Sequence, residues 1–512
     1  MPVATAKSRI FFSFSSNILR GGFSFLSGLI VARSLGPAVY GDFTFLIGSF
    51  VAIRQVLDLG TSSAFFTFLS NKPQSLKFLV YYFTWQLIQF LLPIILIGFL
   101  LPEAILGQIW LGKEKELILL SFMAVFIKEQ TWNTIVQLGE SNRLTLRIQG
   151  ANVLIAITHL LIVALLWINH LLSIQLLFIL IISEYFVAFI IVFKFLYVPY
   201  PDTQKLDGKT IFKKYYTYCI PIVFSSILGF IVDFSMRWML QKYGGSEEQA
   251  YYGVGYQFAI VSILLVNAQR NIFWKEISEA YEKRDLERVR YVYKKTSRFF
   301  YWSGISISCF LIFWAEEIIR LTLGPAYLAG SSVLIFMFIY TGQQALGNIP
   351  GVFLLATNKT KCHFNFNILG AVIGLPMLYF FLAPKNAIIP GLELGAMGAA
   401  MQMAFNQFLN MNLRIFWIDK TNGWKFDWQF QFVGLGIGLM VAWLALFVSG
   451  SISDALSLNV VWKFGLSLFI YFVLIGFYLW NYPGIAGLTR AEIKNFLIHG
   501  IQFFKRLKDE NF

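Results

Sequence analysis

Residues 172–195 read LSIQLLFILIISEYFVAFIIVFKF. Only Glu184 and Lys194 interrupt an otherwise uncharged stretch. An α-helix rises about 1.5 Å per residue, so about 20 apolar residues cross a hydrocarbon core of about 30 Å. The connection that follows carries Lys205, Lys209, Lys213 and Lys214. An apolar span followed by a basic loop is the unit from which the rest of the chain is built.

Outward from that stretch, spans are expected at 10–31, 43–66, 78–101, 117–138, 151–168 and 172–195 in the first half. The second half repeats them at 216–240, 251–273, 299–319, 332–356, 364–382, 395–417, 430–448 and 460–480. The expected fold class is therefore all-α: a polytopic membrane protein of about 14 transmembrane helices. Composition agrees, with 57% hydrophobic residues and only 13% charged, against about 25% charged in an average soluble domain. The net charge of +14 raises the question of nucleic acid. The basic residues lie in short loops between spans, which is the positive-inside pattern and argues against a nucleic-acid partner.

With Met1 on the cytoplasmic side, roughly 29 of the 41 Lys and Arg fall in cytoplasmic connections and adjoining span ends. One such connection holds Lys283, Arg284, Arg288, Arg290, Lys294, Lys295 and Arg298. About seven fall on the opposite side, among them Arg33, Lys113, Lys115, Lys242 and Lys385. That asymmetry places both termini in the cytoplasm. The N-terminus lacks a short apolar core with a small-residue cleavage site, so the first span is expected to be retained. No loop is long enough for a separate soluble domain. Residues 275–298 carry Leu286, Val289 and Tyr293 at helical spacing among charges, which predicts a helix lying on the inner membrane face or a solvated helical linker. The stretch from Ile493 to Lys508 predicts a second surface helix. Tyr40-Gly41 and Tyr252-Gly253 each follow a span and a short outer loop, an echo that divides the chain into halves. The expected division is a six-helix bundle at 1–198, another at 199–420, and two added helices with a tail at 421–512. Pro221, the run Gly347-Asn348-Ile349-Pro350-Gly351 and Pro376 are expected to break or kink their spans.

Charges inside spans are costly and mark protein interiors or water-filled cavities. Arg20 and Arg54 lie deep in the first and second spans. Lys128 and Glu129 lie mid-way in the fourth and Glu184 mid-way in the sixth, with Asp233 and Arg237 in the seventh and Arg270 in the eighth. Asp233 and Arg237, four apart, are spaced to neutralise one another. A Lys128–Glu184 bridge would satisfy a second pair, and Arg270 is placed to snorkel. Arg20 has no acid three or four residues away, and Arg54 has only Asp58, where the span loosens at Asp58-Leu59-Gly60. Two guanidinium groups facing one cavity match phosphate or pyrophosphate oxygens, which points to an anionic, phosphate-bearing ligand.

No catalytic signature is legible. Gly208-Lys209-Thr210 has the end of a phosphate-binding loop, but Thr203 stands where its first Gly belongs and no strand precedes it. The four His are dispersed; His159, mid-span, reads as a buried structural residue or a proton-linked site. Cys219, Cys309 and Cys362 have neither metal nor disulfide spacing. No metal and no cofactor are expected.

The run Leu29-Ile30-Val31-Ala32-Arg33-Ser34-Leu35-Gly36-Pro37, then Tyr40-Gly41 and Asp58-Leu59-Gly60, resembles the start of the polysaccharide flippases (Wzx-type) of the multidrug, oligosaccharidyl-lipid and polysaccharide exporter superfamily. Leu323-Gly324-Pro325-Ala326-Tyr327, Ala356-Thr357-Asn358-Lys359-Thr360-Lys361 and Gly395-Ala396-Met397-Gly398-Ala399-Ala400 are similar to later family positions, with Asn358 in place of the usual Gly. The resemblance implies two six-helix bundles and alternating access. It implies a polyprenyl-pyrophosphate-linked oligosaccharide as substrate, moved to the outer leaflet of the bacterial inner membrane for O-antigen, capsule or exopolysaccharide synthesis. It also implies a coupling cation, membrane lipids, a polysaccharide polymerase and chain-length proteins as partners. Arg20, Arg54 and Arg270 occupy places similar to cavity arginines of lipid-II-flipping relatives, and Asp42 to an acidic position there. Substrate-binding candidates are thus Arg20, Arg54, Arg270, Asp42, Lys128, Glu129 and Glu184. A cation-coupled drug exporter of the same superfamily would favour acids over these arginines, and a membrane glycan polymerase or ligase would carry a large outer loop.

Overall fold

The computed structural model describes the backbone of residues 6–71, 74–196, 208–457 and 459–495, and their side chains apart from residues 6–11, 195–196 and 261–272. The basic stretch after residue 495, expected as a surface helix, lies outside the described residues. All the regular structure described is helical. In chain order the helices are α1 (Ala6–Asp58), α2 (Thr61–Asn71), α3 (Leu76–Ile95), α4 (Glu103–Ile109), α5 (Lys115–Val125), α6 (Trp132–Ser141), α7 (Thr145–Ile168) and α8 (Ile174–Leu196). They continue as α9 (Gly208–Glu282), α10 (Leu286–Ile312), α11 (Ala315–Thr322), α12 (Ser331–Ala356), α13 (Thr360–Leu382), α14 (Gly395–Thr421), α15 (Gln429–Leu456) and α16 (Val460–Asn481). A π-helical turn, Phe126–Thr131, joins α5 to α6.

Nine helical stretches among the described residues are long and apolar enough to cross a membrane. Two of them, Phe12–Asp58 and Gly208–Ile260, are 47 and 53 residues long, enough for two crossings each. Large apolar side chains such as Phe99, Phe224, Phe447 and Phe477 are turned outward, as a hydrocarbon environment requires. The protein is a polytopic all-α membrane protein.

The two long helices share one device. Each is interrupted by a single glycine in a conformation that side chains disfavour: Gly36 at φ 71°, ψ 170° and Gly245 at φ 80°, ψ −174°. Pro37 follows Gly36, and its fixed φ restarts the helix at once. The echo in the sequence, Tyr40-Gly41 and Tyr252-Gly253, lies just after these two turns.

At the other expected positions the helices are not broken. α9, α12 and α13 stay helical through Pro221, through 347–351 and through Pro376. The segment 275–298 is no separate surface helix. Arg284, at φ 56°, turns the chain; Asp285 caps α10 through Arg288 N at 3.0 Å. Val289 and Tyr293 are then buried in a core with Phe353 and Trp424, while Leu286 is exposed. The apolar spacing reports packing inside the protein rather than a face laid on the membrane.

Contacts group the chain into two compact units. One holds Met1–Val254, Arg320–Gly330 and Leu375–Ala399; its core gathers Phe45, Phe50, Trp110, Phe122, Phe126 and Phe178. The other holds Gly255–Ile319, Ser331–Gly374 and Ala400–Phe512, with a core around Trp302, Phe310, Trp314, Val441 and Tyr471. This grouping is by contact, whereas the expected boundaries at 198 and 420 follow the order of spans.

Candidate functional site: a charged and amide-lined interior

In the first unit, polar side chains converge on the π turn Phe126–Thr131. α1 ends at Asp58 because Leu59 and Gly60 both take positive φ, at 47° and 85°. The Asp58 carboxylate then caps α2, accepting from Ser62 N at 3.0 Å, Ser62 Oγ at 2.6 Å and Thr61 Oγ1 at 2.9 Å. Gln130, only 2% exposed, ties this cap to the helix before it. Its amide nitrogen donates to Asp58 Oδ1 at 3.0 Å, and its oxygen accepts from an Arg54 guanidinium nitrogen at 3.3 Å. Further donations run to Ser62 Oγ at 3.2 Å and Gln89 Oε1 at 3.4 Å. Arg54 and Asp58, four apart in sequence, are therefore joined through an amide rather than directly. Arg54 Nε is buried with no partner.

Lys128 and Glu129 occupy the same π turn. The extra residue of a π turn alters the rotation between neighbours, and the two side chains meet at 3.8 Å despite being adjacent. They are 45% and 41% exposed, and a charge at that depth is costly against lipid. Arg20 from α1 and Glu184 from α8 act electrostatically on the Lys128 ammonium. Arg20 itself is exposed and makes no hydrogen bond or ion pair with the described residues. The expected Lys128–Glu184 bridge is not formed. Glu184 Oε2 pairs with His159 Nδ1 at 2.8 Å, and its Oε1 is buried without a partner. The structure thus gathers Arg20, Lys128, Glu129 and Glu184, and links Arg54 to the same turn through Gln130. Arg20 and Lys128 are like charges on exposed or half-exposed side chains, and Arg20 has no acid paired with it among the described residues. Their repulsion falls when an anion sits beside them.

Asp42 contacts none of these groups. It lies after the Gly36 turn, accepting from Ser246 Oγ at 2.5 Å and from Gln241 Nε2 at 3.4 Å, and pairing with Lys113 at 2.6 Å. Gly41 is needed beside it, because a Cβ there would sit 1.7 Å from the Ser246 carbonyl oxygen. Asp42 and Gly41 together form a joint between the two glycine turns. Asp233 and Arg237 do not pair either: Asp233 accepts from Gln55 Nε2 at 2.7 Å, and the Arg237 guanidinium packs over Gly48. The side chain of Arg270 lies outside the described residues.

The second unit holds a polar seam that charge alone does not reveal. On α14, Gln402, Asn406, Asn410 and Arg414 recur every four residues and so lie on one face. Gly370 and Gly374 of α13 lie against it; a Cβ at Gly370 would be 2.5 Å from Asn410 Nδ2, and one at Gly374 2.9 Å from Asn406 Nδ2. Gln402 Nε2 donates to the Gly374 carbonyl at 3.0 Å, and Arg414 donates to Asn367 Oδ1 at 2.8 Å. Asn410 Oδ1, Gln344 Oε1, Asn348 Nδ2 and Arg414 Nε are buried and unpartnered. Amides spaced by four inside a span were the available signal, and a search for charges passes over them. Among the described residues, no group of three or more His, Cys, Asp or Glu is placed to hold a metal ion.

Comparison with known proteins bears on the family and the fold. The model of the polysaccharide biosynthesis protein family matches residues 7–270, and the MatE model matches residues 221–380. A search of curated proteins finds no match. Among solved structures, the lipid II flippase MurJ in an inward closed conformation aligns with a TM-score of 0.70 at 15% identity, covering 92% of this chain and 99% of that one. An inward-facing multidrug resistance MATE family transporter aligns at 0.61 and 17% identity, covering 78% and 96%. A transporter of the same superfamily from Pyrococcus furiosus, described by the reverse polarity of its binding pocket, aligns at 0.54 and 15% identity, covering 81% and 95%. The chain belongs to the polysaccharide biosynthesis protein family, and its fold is the one that the lipid II flippase and the MATE family transporter share.

Proposed function

We propose that this transporter flips a polyprenyl-pyrophosphate-linked oligosaccharide from the cytoplasmic to the outer leaflet of the bacterial inner membrane, by alternating access, for polysaccharide biosynthesis. The observation that carries the reading is Arg20, a guanidinium with no hydrogen bond or ion pair to the described residues, within electrostatic reach of Lys128. A pyrophosphate supplies the missing counter-charge, and the guanidinium fork matches its oxygens. The amides of α14 suit the other part of such a substrate, since sugar hydroxyls both donate and accept hydrogen bonds, as amides do. Both termini are cytoplasmic in this reading. The protein acts as a transporter and not as an enzyme; a polymerase and chain-length proteins act on the product, and a coupling cation belongs to the cycle.

Export of cationic drugs is the second reading, favoured by Glu129 and the unpartnered oxygen of Glu184. Proteoliposomes separate the two. A labelled polyprenyl-pyrophosphate oligosaccharide should become accessible to an impermeant glycosidase at a rate that depends on this protein and on Arg20. Transport of organic cations with no movement of the glycolipid would overturn the flippase reading.

A further inference from the structure

Beyond this reading, the second unit carries a cavity of about 860 Å³ at the helix ends that bear the basic loops. Its wall includes Arg290, Lys294, Lys295, Arg298 and Lys425, with only Glu287 and Asp427 as acids. Three of the cations are held by partners: Lys294 by Asp419 at 2.6 Å, Lys295 by Glu492, and Arg298 by Asp427 at 2.5 Å. Asp419 is fully buried in side-chain exposure, and burial pushes its carboxyl above the usual range. These pairs hold the wall in place. Arg290 and Lys425 are exposed, and their side chains form no hydrogen bond or ion pair with the described residues.

A second cavity, of about 400 Å³, is walled mainly by Phe273, Val292, Phe299, Phe300 and Leu488, with Glu276, Arg288 and Thr296 among them. Tyr291 and Lys295 line both. Tyr291 and Trp428 are 60% and 47% exposed, as aromatic residues at a membrane–water boundary are. A cationic cavity that shares two wall residues with a largely apolar one has the polarity of a lipid, with a phosphate at one end and hydrocarbon at the other.

We propose that the paired cavities bind an anionic phospholipid, its phosphate beside Arg290 and Lys425 and an acyl chain along Phe299 and Phe300. Free phosphate shares the head-group chemistry but has no use for the apolar chamber. Basic pockets between membrane helices recognise head groups in this way. The site is separate from Arg20 and Arg54, so it stands or falls independently of the transported substrate.

The full chain, in nanodiscs of phosphatidylcholine doped with phosphatidylglycerol, is the material for the test. Native mass spectrometry after release should find phosphatidylglycerol retained over phosphatidylcholine. The double variant R290A/K425A should retain it about thirtyfold less strongly, the effect of roughly 2 kcal/mol from two near-surface cations. K425A alone, in a connection between helices, should lose about fivefold and keep the wild-type melting temperature. A parallel arm adds sodium phosphate to protein in pure phosphatidylcholine. Phosphate binding without phosphatidylglycerol retention, equal retention by wild type and double variant, or no preference for the anionic lipid would each overturn the proposal.

Discussion

Replacing Arg20 and Arg54 should separate a residue free for substrate from one woven into the protein. Arg20 makes no hydrogen bond or ion pair with the described residues, and its electrostatic neighbour is the like-charged Lys128. Arg20→Ala therefore leaves no protein group stranded, and stability should change by no more than about 0.5 kcal/mol, as for an uninvolved surface position. Transport should suffer instead. One charge-assisted contact is worth about 1.5–3 kcal/mol, or one to two orders of magnitude in apparent affinity. Arg20→Lys keeps the charge and loses the fork, so it should fall between wild type and Ala. Arg54→Ala behaves differently, because it strips the partner from the buried Gln130 oxygen. An unsatisfied buried acceptor costs about 1–3 kcal/mol, and Gln130→Leu should cost a similar amount by removing the acceptor from Arg54 and one donor from Asp58. The assays are thermal denaturation in detergent and the substrate dependence of flipping in proteoliposomes. The argument fails if Arg20→Ala flips at wild-type rates at sub-saturating substrate, or if it unfolds as early as Arg54→Ala.

Other expectations follow from the same geometry. Gly41→Ala drives a methyl group into the Ser246 backbone and should lower the folded yield sharply. Gly36→Ala meets no atom but must adopt φ 71°, so about 1–3 kcal/mol is expected in chemical denaturation. Glu492, held below its ordinary value of 4.5 by Lys295, contributes stability above that pH and loses it as pH falls through the lowered value. Glu492→Gln should thus cost under about 1 kcal/mol at neutral pH, the pair being largely exposed, and the difference in melting temperature should vanish in strong acid; a constant difference would count against the pair. Reporter fusions after Lys283 should be active only with a cytoplasmic reporter, and periplasmic activity there would reverse the proposed orientation.

Span periodicity and basic loops were sufficient for the class of this protein, because bilayer thickness and the cost of burying charge act on each segment alone. The turns at Gly36 and Gly245 were half legible, since Gly36-Pro37 is a local signal while Gly245 follows another glycine and needs its backbone angles to be singled out. Arg20 was likewise legible as a deep charge without a local partner. Its neighbours were not: Lys128 meets Glu129 within a π turn that the sequence does not announce, and Glu184 turns to His159, twenty-five residues earlier and on another helix. Gln130 and the amide face of α14 carry no charge, so their importance lies in what they touch. Sequence alone determined that the chain is a polytopic membrane protein and which charges are too costly to lie in a span idle, because both are properties of a segment in its solvent. Only the tertiary structure decided which of those charges are neutralised by partners and which are left for a ligand, because pairing depends on helices distant in sequence meeting within a few ångströms.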